Sequence, residues 1–342
     1  MVIHYKCPNC GDDMAFDTES GMLSCASCGR TDNIEDFSDE FITTTFSDEE
    51  AKEYNCNNCG AAVITDADTS ATSCSFCGAA VVLADRVSGS LAPDKVIPFQ
   101  ISKEQAMDAF KKWCKNGRLT PKGFMTADRI KNITGIYVPF WLYDLHSEAD
   151  VKAKATKVRT YSRGDYIYTE TSYYDVERKI DLTFQKVPVD ASEKMNDEMM
   201  DKLEPYDYGS LKDFKTPYLA GYLAEKYNYT NKDLFPRVKS KVNQYVDQYI
   251  RSTINGYTSY HYENKHVNTE ERKAYYCLLP VWMVYYDFDK QEHTFAMNGV
   301  NGKVVGKPPL SMQKVMAWFS GIAATTFVVL KAITILVGGD LW

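Results

Sequence analysis

Eight cysteines near the N-terminus constrain the fold of this chain more than any other feature. They form two copies of the spacing C-x2-C-x14-C-x2-C, and each cysteine of the second copy lies 49 positions after its counterpart. The two sets are Cys7, Cys10, Cys25 and Cys28, then Cys56, Cys59, Cys74 and Cys77. A C-x-x-C turn places two sulfurs on one side of the backbone, and a second turn across a short hairpin supplies two more. The spacing therefore predicts two zinc ribbons, each holding one structural zinc ion with four thiolates and no open ligand position.

A glycine follows the second cysteine of every C-x-x-C pair, at Gly11, Gly29, Gly60 and Gly78. Glycine lets the backbone curl so that its N–H groups point at the sulfurs, which favours metal binding. Disulfides are an alternative, but they require an oxidising compartment, and no apolar N-terminal segment directs the chain there. An iron–sulfur cluster is a second alternative. A redox-active C-x-x-C pair is disfavoured because no βαβ pattern surrounds any of the pairs.

The charge of the chain is unevenly distributed. Residues 1–90 contain 4 Lys or Arg and 16 Asp or Glu, whereas the remainder contains 35 and 30. Four thiolates around one dication add about −2 per site. Modules that bind nucleic acid need a basic face to meet the phosphates, so we expect these acidic ribbons to bind a protein and not nucleic acid.

The pattern of the chain predicts a multidomain protein with five parts. These are zinc ribbon 1 (1–37), an acidic linker (38–53), zinc ribbon 2 (54–86), an α+β domain (87–311) and a C-terminal transmembrane segment (312–342). The α+β domain is expected to contain antiparallel strands and a helical insertion. Alternating apolar and aromatic residues predict its strands at 136–145, 151–161, 166–182, 274–287 and 292–297, the last paired with 303–305.

Capping and breaker residues predict three helices in this domain. Ser102 forms a capping box with Gln105, and Gly117 ends the first helix. Asp190 with Glu193 is expected to cap a second helix that ends near Pro205. A longer helix is predicted with Pro236 in its first turn and with one apolar face made of Val238, Val242, Tyr245 and Tyr249.

The C-terminal segment has the composition of a membrane span. Residues 318–339 include one charged side chain, Lys331, and are long enough, at roughly 33 Å as a helix, to cross a bilayer core. Lys303, Lys307 and Lys314 precede the segment. The positive-inside rule then predicts a single-pass protein of the cell membrane with its N-terminal domains in the cytoplasm. A buried or amphipathic helix is the alternative.

No catalytic motif stands out in the sequence. The five histidines form no H-E-x-x-H pair, and there is no G-x-S-x-G, Walker or G-x-G-x-x-G motif. Cys114 and Cys277 have no partner cysteine nearby and are interpreted as small core residues. The protein is therefore expected not to be an enzyme. The many tyrosines are interpreted as packing on strand faces, with a binding face as the alternative.

Several phrases together resemble a bacterial family. They are Val-Pro-Phe-Trp at 138–141, Leu-Pro-Val-Trp at 279–282 and the hairpin sequence Phe-Ala-Met-Asn-Gly-Val-Asn-Gly-Lys-Val-Val-Gly at 295–306. With the paired ribbons and the apolar C-terminal segment, they resemble the TFIIB-type zinc-ribbon-containing membrane proteins, whose members are associated with SPFH (flotillin-like) and phage-shock-type proteins.

The resemblance implies a function for the chain. It would be a membrane-anchored adaptor or scaffold that recruits a cytoplasmic SPFH partner in envelope stress, alone or as a homo- or hetero-oligomer. The alternative is a nucleic-acid-associated zinc-ribbon factor tethered to the membrane, which the acidic ribbons disfavour.

Overall fold

The structure is a computed structural model that describes most of the chain. The described residues are 2–3, 5–37, 52–56, 62–65, 68–74, 79–83, 86–87, 91–115, 119–121, 124, 133–288 and 291–337. Several sequence predictions lie outside them, namely those for most of the acidic linker, for Cys59 and Cys77, for Gly60 and Gly78, and for the helix end at Gly117.

The described residues are mainly β-structure with a few helices. The helices are α1 (Lys103–Lys115), α2 (Asp197–Leu203), α3 (Asn231–Thr253) and α4 (Met312–Val337). The strands are β1 (Val2–Ile3), β2 (Met14–Asp17), β3 (Met22–Cys25), β4 (Thr31–Asp32), β5 (Lys52–Asn55), β6 (Ala62–Thr65), β7 (Thr69–Ser73), β8 (Ala80–Leu83), β9 (Lys95–Val96), β10 (Ile133–Arg163), β11 (Tyr166–Asp190), β12 (Lys212–Asp213), β13 (Leu223–Glu225), β14 (Ser259–Phe288), β15 (Gln291–Asn298) and β16 (Val304–Gly306).

The chain divides into two compact units. Unit 1 contains Met1–Pro98, Tyr137–Asp201 and Asp207–Pro280, and unit 2 contains Phe99–Ile136, Lys202–Tyr206 and Val281–Trp342. In unit 1 the strand order is β1-β8-β7-β13-β10-β14, with β11 paired to β10 and β9 paired to both β12 and β14. The last part of β14 pairs with β15, and β15 pairs with β16, within unit 2.

A long hairpin of β10 and β11 dominates unit 1. Its antiparallel register runs from Arg163 opposite Tyr166 to Phe140 opposite Asp190, with one irregularity beside Tyr143. The turn at 162–165 is confirmed, and Gly164 takes the positive φ of 64° that it requires. The predicted interruption between 145 and 151 is wrong, because β10 runs through it. Ser147 is buried there, and its hydroxyl lies 2.9 Å from the hydroxyl of Thr269 on β14.

Helix α3 packs against the inner face of this hairpin. Its N-terminus is closed by a capping box between Thr230 and Asp233. The helix therefore begins before Pro236, which lies inside it and not in its first turn as predicted. The buried side chains repeat every four residues, at Leu234, Val238, Val242, Val246 and Ile250. Burying each such side chain stabilises the fold by about 1.5–3 kcal/mol.

The prediction for the apolar face of α3 is confirmed at Val238 and Val242. It is wrong at Tyr245 and Tyr249. Tyr245 and Tyr249 are 56% and 48% exposed, and Val246 and Ile250 are buried in their place. The sequence contains apolar residues at both sets of positions, so spacing alone does not separate them. The hairpin selects the β-branched set, which is compact enough to lie against Val151 and Ala153 in the same core cluster.

Asp190 does not cap a helix as predicted. It ends β11 with a buried carboxylate 2.9 Å from the Arg237 guanidinium of α3. Arg237 also pairs with Asp197 and Asp201 of α2. Helix α2 begins later than predicted, and the Asn196 side chain accepts a hydrogen bond from the N–H of Met199.

Unit 2 contains the predicted hairpin and the first predicted helix. Ser102 and Gln105 form the capping box of α1, with each side chain accepting from the other's backbone N–H. Strands β15 and β16 are joined by the turn after Asn298, in which Gly302 has a φ of 74°. At the start of α4, the ammonium of Lys314 donates to the carbonyl of Thr120 at 2.7 Å.

The buried carboxyl of Asp190 predicts a pH-dependent stability of unit 1. Burial raises the pKa of Asp190 from 3.8 to about 6, because the loss of hydration outweighs the opposing effect of the Arg237 charge. The native state keeps this proton where the unfolded chain has lost it, so the contribution of Asp190 to the free energy of unfolding falls as pH rises from about 4 to 6. Two pKa units correspond to about 3 kcal/mol. Asp190→Asn should remove this fall, measured by hydrogen exchange of the α3 amides after correction for the intrinsic exchange rate.

A matched control for this prediction is Asp165→Asn, which changes an exposed carboxylate in the turn of the same hairpin. The control variant should keep the full pH dependence. Equal pH dependence in Asp190→Asn and in the unaltered chain would contradict the assignment.

Candidate metal centre

Four thiols converge in the first four-cysteine unit, which we define as residues 5–37. The Sγ atoms of Cys7 and Cys28 are 3.5 Å apart, as are those of Cys10 and Cys25, and all four lie within 4.8 Å of one another. A disulfide would require about 2.05 Å. Four sulfurs at about 2.3 Å from one zinc ion are separated by about 3.8 Å at tetrahedral angles. The donor set and its spacing therefore fit a tetrahedral thiolate site.

Two similar backbone turns place these thiols. The N–H of Cys7 donates to the carbonyl of Asp12 and that of Cys25 to the carbonyl of Arg30, at 2.8 and 2.9 Å. Gly11 and Gly29 close the turns by donating back to the carbonyls of Cys7 and Cys25, with φ angles of 77° and 73°. A side chain with a Cβ would be strained at these angles, which explains the glycine after each C-x-x-C pair of the first repeat.

Strands β2 and β3 hold the two turns together. They pair antiparallel with Met14 opposite Cys25 and Phe16 opposite Leu23. Met14, Phe16 and Leu23 are buried, and they supply the few apolar contacts that a unit of this size can make. Cys7 and Cys25 are buried as well, whereas Cys10 and Cys28 are exposed.

The backbone favours thiolate at one of the exposed cysteines. The N–H of Arg30 and the side chain of Asn9 lower the pKa of Cys28 to about 6. At Cys10 the N–H of Asp12 lowers the pKa, but the hydrogen bonds with the neighbouring thiols outweigh it and raise the pKa to about 12. Four thiols this close cannot all ionise without a cation. A dication supplies that charge, and its binding displaces the remaining protons.

Two of the strand contacts of the first cysteine repeat recur in the second, shifted by 49 positions, whereas among the described residues β6 pairs with β5 and not with β7. The bridge between Lys6 and Asp13 corresponds to the pair Asn55 and Ala62. The register of β3 with β4 is also found between β7 and β8. The pair Leu23 and Asp32 corresponds to Thr72 and Val81, and the pair Ser24 and Thr31 corresponds to Ser73 and Ala80.

The backbone turn beside the third cysteine is also repeated. The N–H of Cys74 donates to the carbonyl of Ala79 at 2.9 Å, as that of Cys25 does to Arg30. Cys56 and Cys74 are both buried in one cluster with Tyr54 and Val63. The other two predicted ligands, Cys59 and Cys77, lie outside the described residues, so the structure brings together half of the second predicted set.

An aromatic contact of the first repeat is replaced by a cation–π contact in the second. The rings of Tyr5 and Phe37 meet edge to face with centroids 5.7 Å apart. The equivalent positions are Tyr54 and Arg86, and the Arg86 guanidinium lies 5.6 Å from the Tyr54 ring centroid. The sequence interpretation missed Arg86, although the same offset of 49 positions relates it to Phe37. A buried cation here is suited to offset the negative charge of a thiolate site.

Both cysteine repeats are joined to the rest of unit 1. Strands β7 and β8 belong to its large sheet, and β1 pairs with β8. The first four-cysteine unit contacts residues 215–222: the N–H of Phe16 donates to the carbonyl of Ala220, and Lys215 pairs with Glu35 at 2.8 Å. The cysteine repeats therefore contribute directly to the core architecture of unit 1.

A second group of metal-binding residue types is present on the hairpin of β10 and β11. His146 Nε2 lies 3.3 Å from Glu148, and its Nδ1 lies 3.6 Å from Asp181. The two carboxylates thus face opposite edges of one imidazole, and a single ion cannot take both nitrogens. Nε2 is within hydrogen-bonding distance of Glu148, whereas Asp181 lies beyond that distance from Nδ1. Cys277 is buried as predicted, and the Cys114 side chain is not described.

These features define a class of protein. It is a mainly β, two-unit protein with a four-cysteine cluster able to hold a metal and one apolar C-terminal helix. Uncharacterized protein YdjG of Bacillus subtilis (strain 168) is 63% identical to this chain over 339 residues, covering 99% of both. The chain belongs to the YdjG family. No family model matches the chain, and no solved structure matches it.

The repeated register predicts that both cysteine sets bind metal. The purified chain should contain about two equivalents of zinc, and Cys28→Ser and Cys74→Ser should each remove about one, because three remaining thiolates hold the ion less tightly. Native mass spectrometry measures this. Cys74→Ser should also raise hydrogen exchange in β7 and β8, whereas Cys277→Ala is the matched control that keeps both ions. Two ions retained in both serine variants, or iron in place of zinc, would contradict the prediction.

Proposed function

We propose that the protein is a membrane-anchored adaptor, stiffened by two structural zinc centres, that holds a cytoplasmic protein partner at the cell membrane. The observation that carries the proposal is the exposed apolar helix α4 in a chain whose cysteine cluster has no position for a substrate. The proposed partner is an SPFH (flotillin-like) protein, and the proposed setting is envelope stress.

The properties of α4 support the membrane anchor. Its segment Met312–Ile333 has 22 residues and a mean hydropathy of 1.6, and none of it is buried. At about 1.5 Å per residue it spans roughly 33 Å, the thickness of a bilayer core. Large apolar side chains such as Phe319, Phe327 and Val328 are 64% to 69% exposed. A helix that is apolar on all sides is stable in lipid and not in water.

The geometry of the cysteine cluster supports a structural role for the metal. A catalytic zinc ion needs an open position for water or substrate, and a complete set of four thiolates leaves none. Zinc binding supplies on the order of 10–16 kcal/mol in units too small to build their own core. The proposed centres therefore hold the cysteine repeats in shape.

The charge of the N-terminal region supports a protein partner over nucleic acid. Residues 1–90 carry four times as many acidic as basic side chains, and such a surface repels phosphates. The SPFH identity of the partner rests on the family resemblance of the Trp phrases and the 295–306 hairpin. A tethered nucleic-acid-binding factor is the alternative, and a titration with duplex DNA and with RNA at low ionic strength tests it. Affinity that falls steeply with salt would favour that alternative.

Charged substitutions in α4 should release the protein from the membrane. Ile322→Glu with Phe327→Glu places two carboxylates in the apolar segment, each costing about 2.5–3.5 kcal/mol on insertion scales. The unaltered chain should stay in the pellet after alkaline carbonate extraction, and the variant should be soluble. Met312→Glu with Gln313→Glu at the helix start is the matched control and should stay in the pellet. Quantitative release of the unaltered chain would contradict the span.

The location of the SPFH partner should follow the location of this protein. In cells with the unaltered chain, a fluorescent SPFH partner should lie at the membrane. With the released Ile322→Glu, Phe327→Glu variant it should move to the cytoplasm, whereas the helix-start control should leave it in place. If the partner stays at the membrane in cells with the released variant, recruitment by this protein is contradicted. This conclusion does not depend on the result of carbonate extraction.

A further inference from the structure

The tip of the β10–β11 hairpin extends beyond the elements that cover the rest of it. Helix α3 ends at Thr253, and β14 begins at Ser259. Just before β14, the Thr258 hydroxyl accepts a hydrogen bond from the N–H of Val158. All residues from 157 to 171 are exposed. With about 3.3 Å per residue, this two-stranded tip extends for roughly 20 Å. In the part of the chain that the structure describes, neither face of the tip is buried.

The two faces of the tip differ in chemistry. Cross-strand pairs point to the same side, so the register assigns each residue to a face. The face continuous with the α3 core is basic and aromatic; we call it the hairpin face, and it contains Lys157, Arg159, Tyr161, Arg163, Tyr166, Tyr168 and Glu170. The opposite face contains mainly Thr, Ser, Val and Ile side chains.

The cations of the hairpin face lack partners, unlike those further down the same strand. Lys152 and Lys154 on the opposite face pair with Glu177 and Asp175, their cross-strand neighbours. Among the described residues, Lys157, Arg159 and Arg163 form no ion pair within 4.0 Å. The hairpin face thus presents three cations and one acid to solvent.

The aromatic residues of the hairpin face are arranged for contact with another surface. The rings of Tyr161 and Tyr168 stack at 5.6 Å with an interplanar angle of 15°, and each is 45% exposed. Tyr166 is 70% exposed. Tyr and Arg dominate the binding energy of protein interfaces, because they bury a large area with few rotatable bonds.

A complementary surface exists on the first four-cysteine unit of the same chain. Its exposed acids include Asp12, Glu19 and Asp36, and Met22 adds an exposed apolar side chain. The exposed cations of the unit, Lys6 and Arg30, are each paired with an acid of the same unit. Four thiolates around a dication would add about −2 to this surface. Every copy of the protein therefore carries both a basic aromatic surface and an acidic one.

We propose that the hairpin face of one copy docks on the acidic first four-cysteine unit of a second copy. Glu170 within the face and Asp165 in the turn oppose binding to phosphate polyanions or an anionic bilayer, and they favour a protein surface with mixed charges. Two reciprocal contacts of this kind would close a two-fold dimer. Copies anchored in one membrane meet at a high effective concentration, which suits a contact of this small area. The proposal is independent of the recruitment of an SPFH partner.

Charge reversal on each side tests this contact in the full-length protein. Arg159→Glu with Arg163→Glu reverses the hairpin face, and Glu19→Lys with Asp36→Lys reverses the acidic surface. Sedimentation in a mild detergent at low ionic strength should show self-association of the unaltered chain. Each double variant should weaken it by at least about tenfold, and the chain with all four substitutions should regain it. About 1 M salt, with a Debye length of about 3 Å, should also weaken it.

Matched controls separate this contact from other causes of association. Lys232→Glu with Arg272→Glu makes the same change in net charge at exposed sites outside the hairpin face and should leave association unchanged. Association through α4 would persist in every variant, since all retain that helix. A monomeric unaltered chain, association in either reversed variant as strong as in the unaltered chain, or no recovery in the fourfold variant would overturn the proposal. If the variant Arg159→Glu with Arg163→Glu loses SPFH recruitment but keeps self-association, the hairpin face binds another protein. That result would overturn the proposal as well.

Discussion

Convergence of four cysteine side chains is the constraint on which the first four-cysteine unit depends. The first unit buries few apolar side chains, such as Met14, Phe16 and Leu23. The arrangement reaches further than the repeats, because β1, β7 and β8 are strands of the large sheet in unit 1. Loss of the proposed second thiolate site would therefore disturb that sheet and not only a peripheral module.

A second consequence follows from the length of the β10–β11 hairpin. Where α3 covers it, the inner face is apolar, with Val151, Ala153 and Ala155 buried. Where α3 ends, the same face becomes basic and aromatic at Arg159 and Tyr161. The side-chain chemistry therefore changes at the point where the covering helix ends. This arrangement suits a surface that contacts another protein. The proposed anchor, the proposed metal centres and the exposed hairpin face each suit the proposed role in organising other proteins at a membrane.

Local signals in the sequence were sufficient for the elements whose structure is decided locally. The cysteine spacing, the Ser102 capping box and the turn after Asn298 all depend on residues close together in the chain, and the structure contains each of them. Positions decided by tertiary contacts were not predictable in this way. Asp190 resembles a helix cap in sequence, but its partner Arg237 is far along the chain. Contact with the β10–β11 hairpin likewise decides that Val246 and not Tyr245 is buried on α3. The strand pairing shared by the two repeats could have been inferred from the offset of 49 positions, since Phe37 and Arg86 obey it too.

X-ray absorption at the zinc edge of the full-length protein tests whether thiolates close the proposed metal centres. We expect an average first shell of four sulfur atoms at about 2.3 Å, because both sites would be closed by thiolates. Oxygen or nitrogen scatterers at about 2.0–2.1 Å would indicate an open or mixed site and would contradict the structural role of the metal.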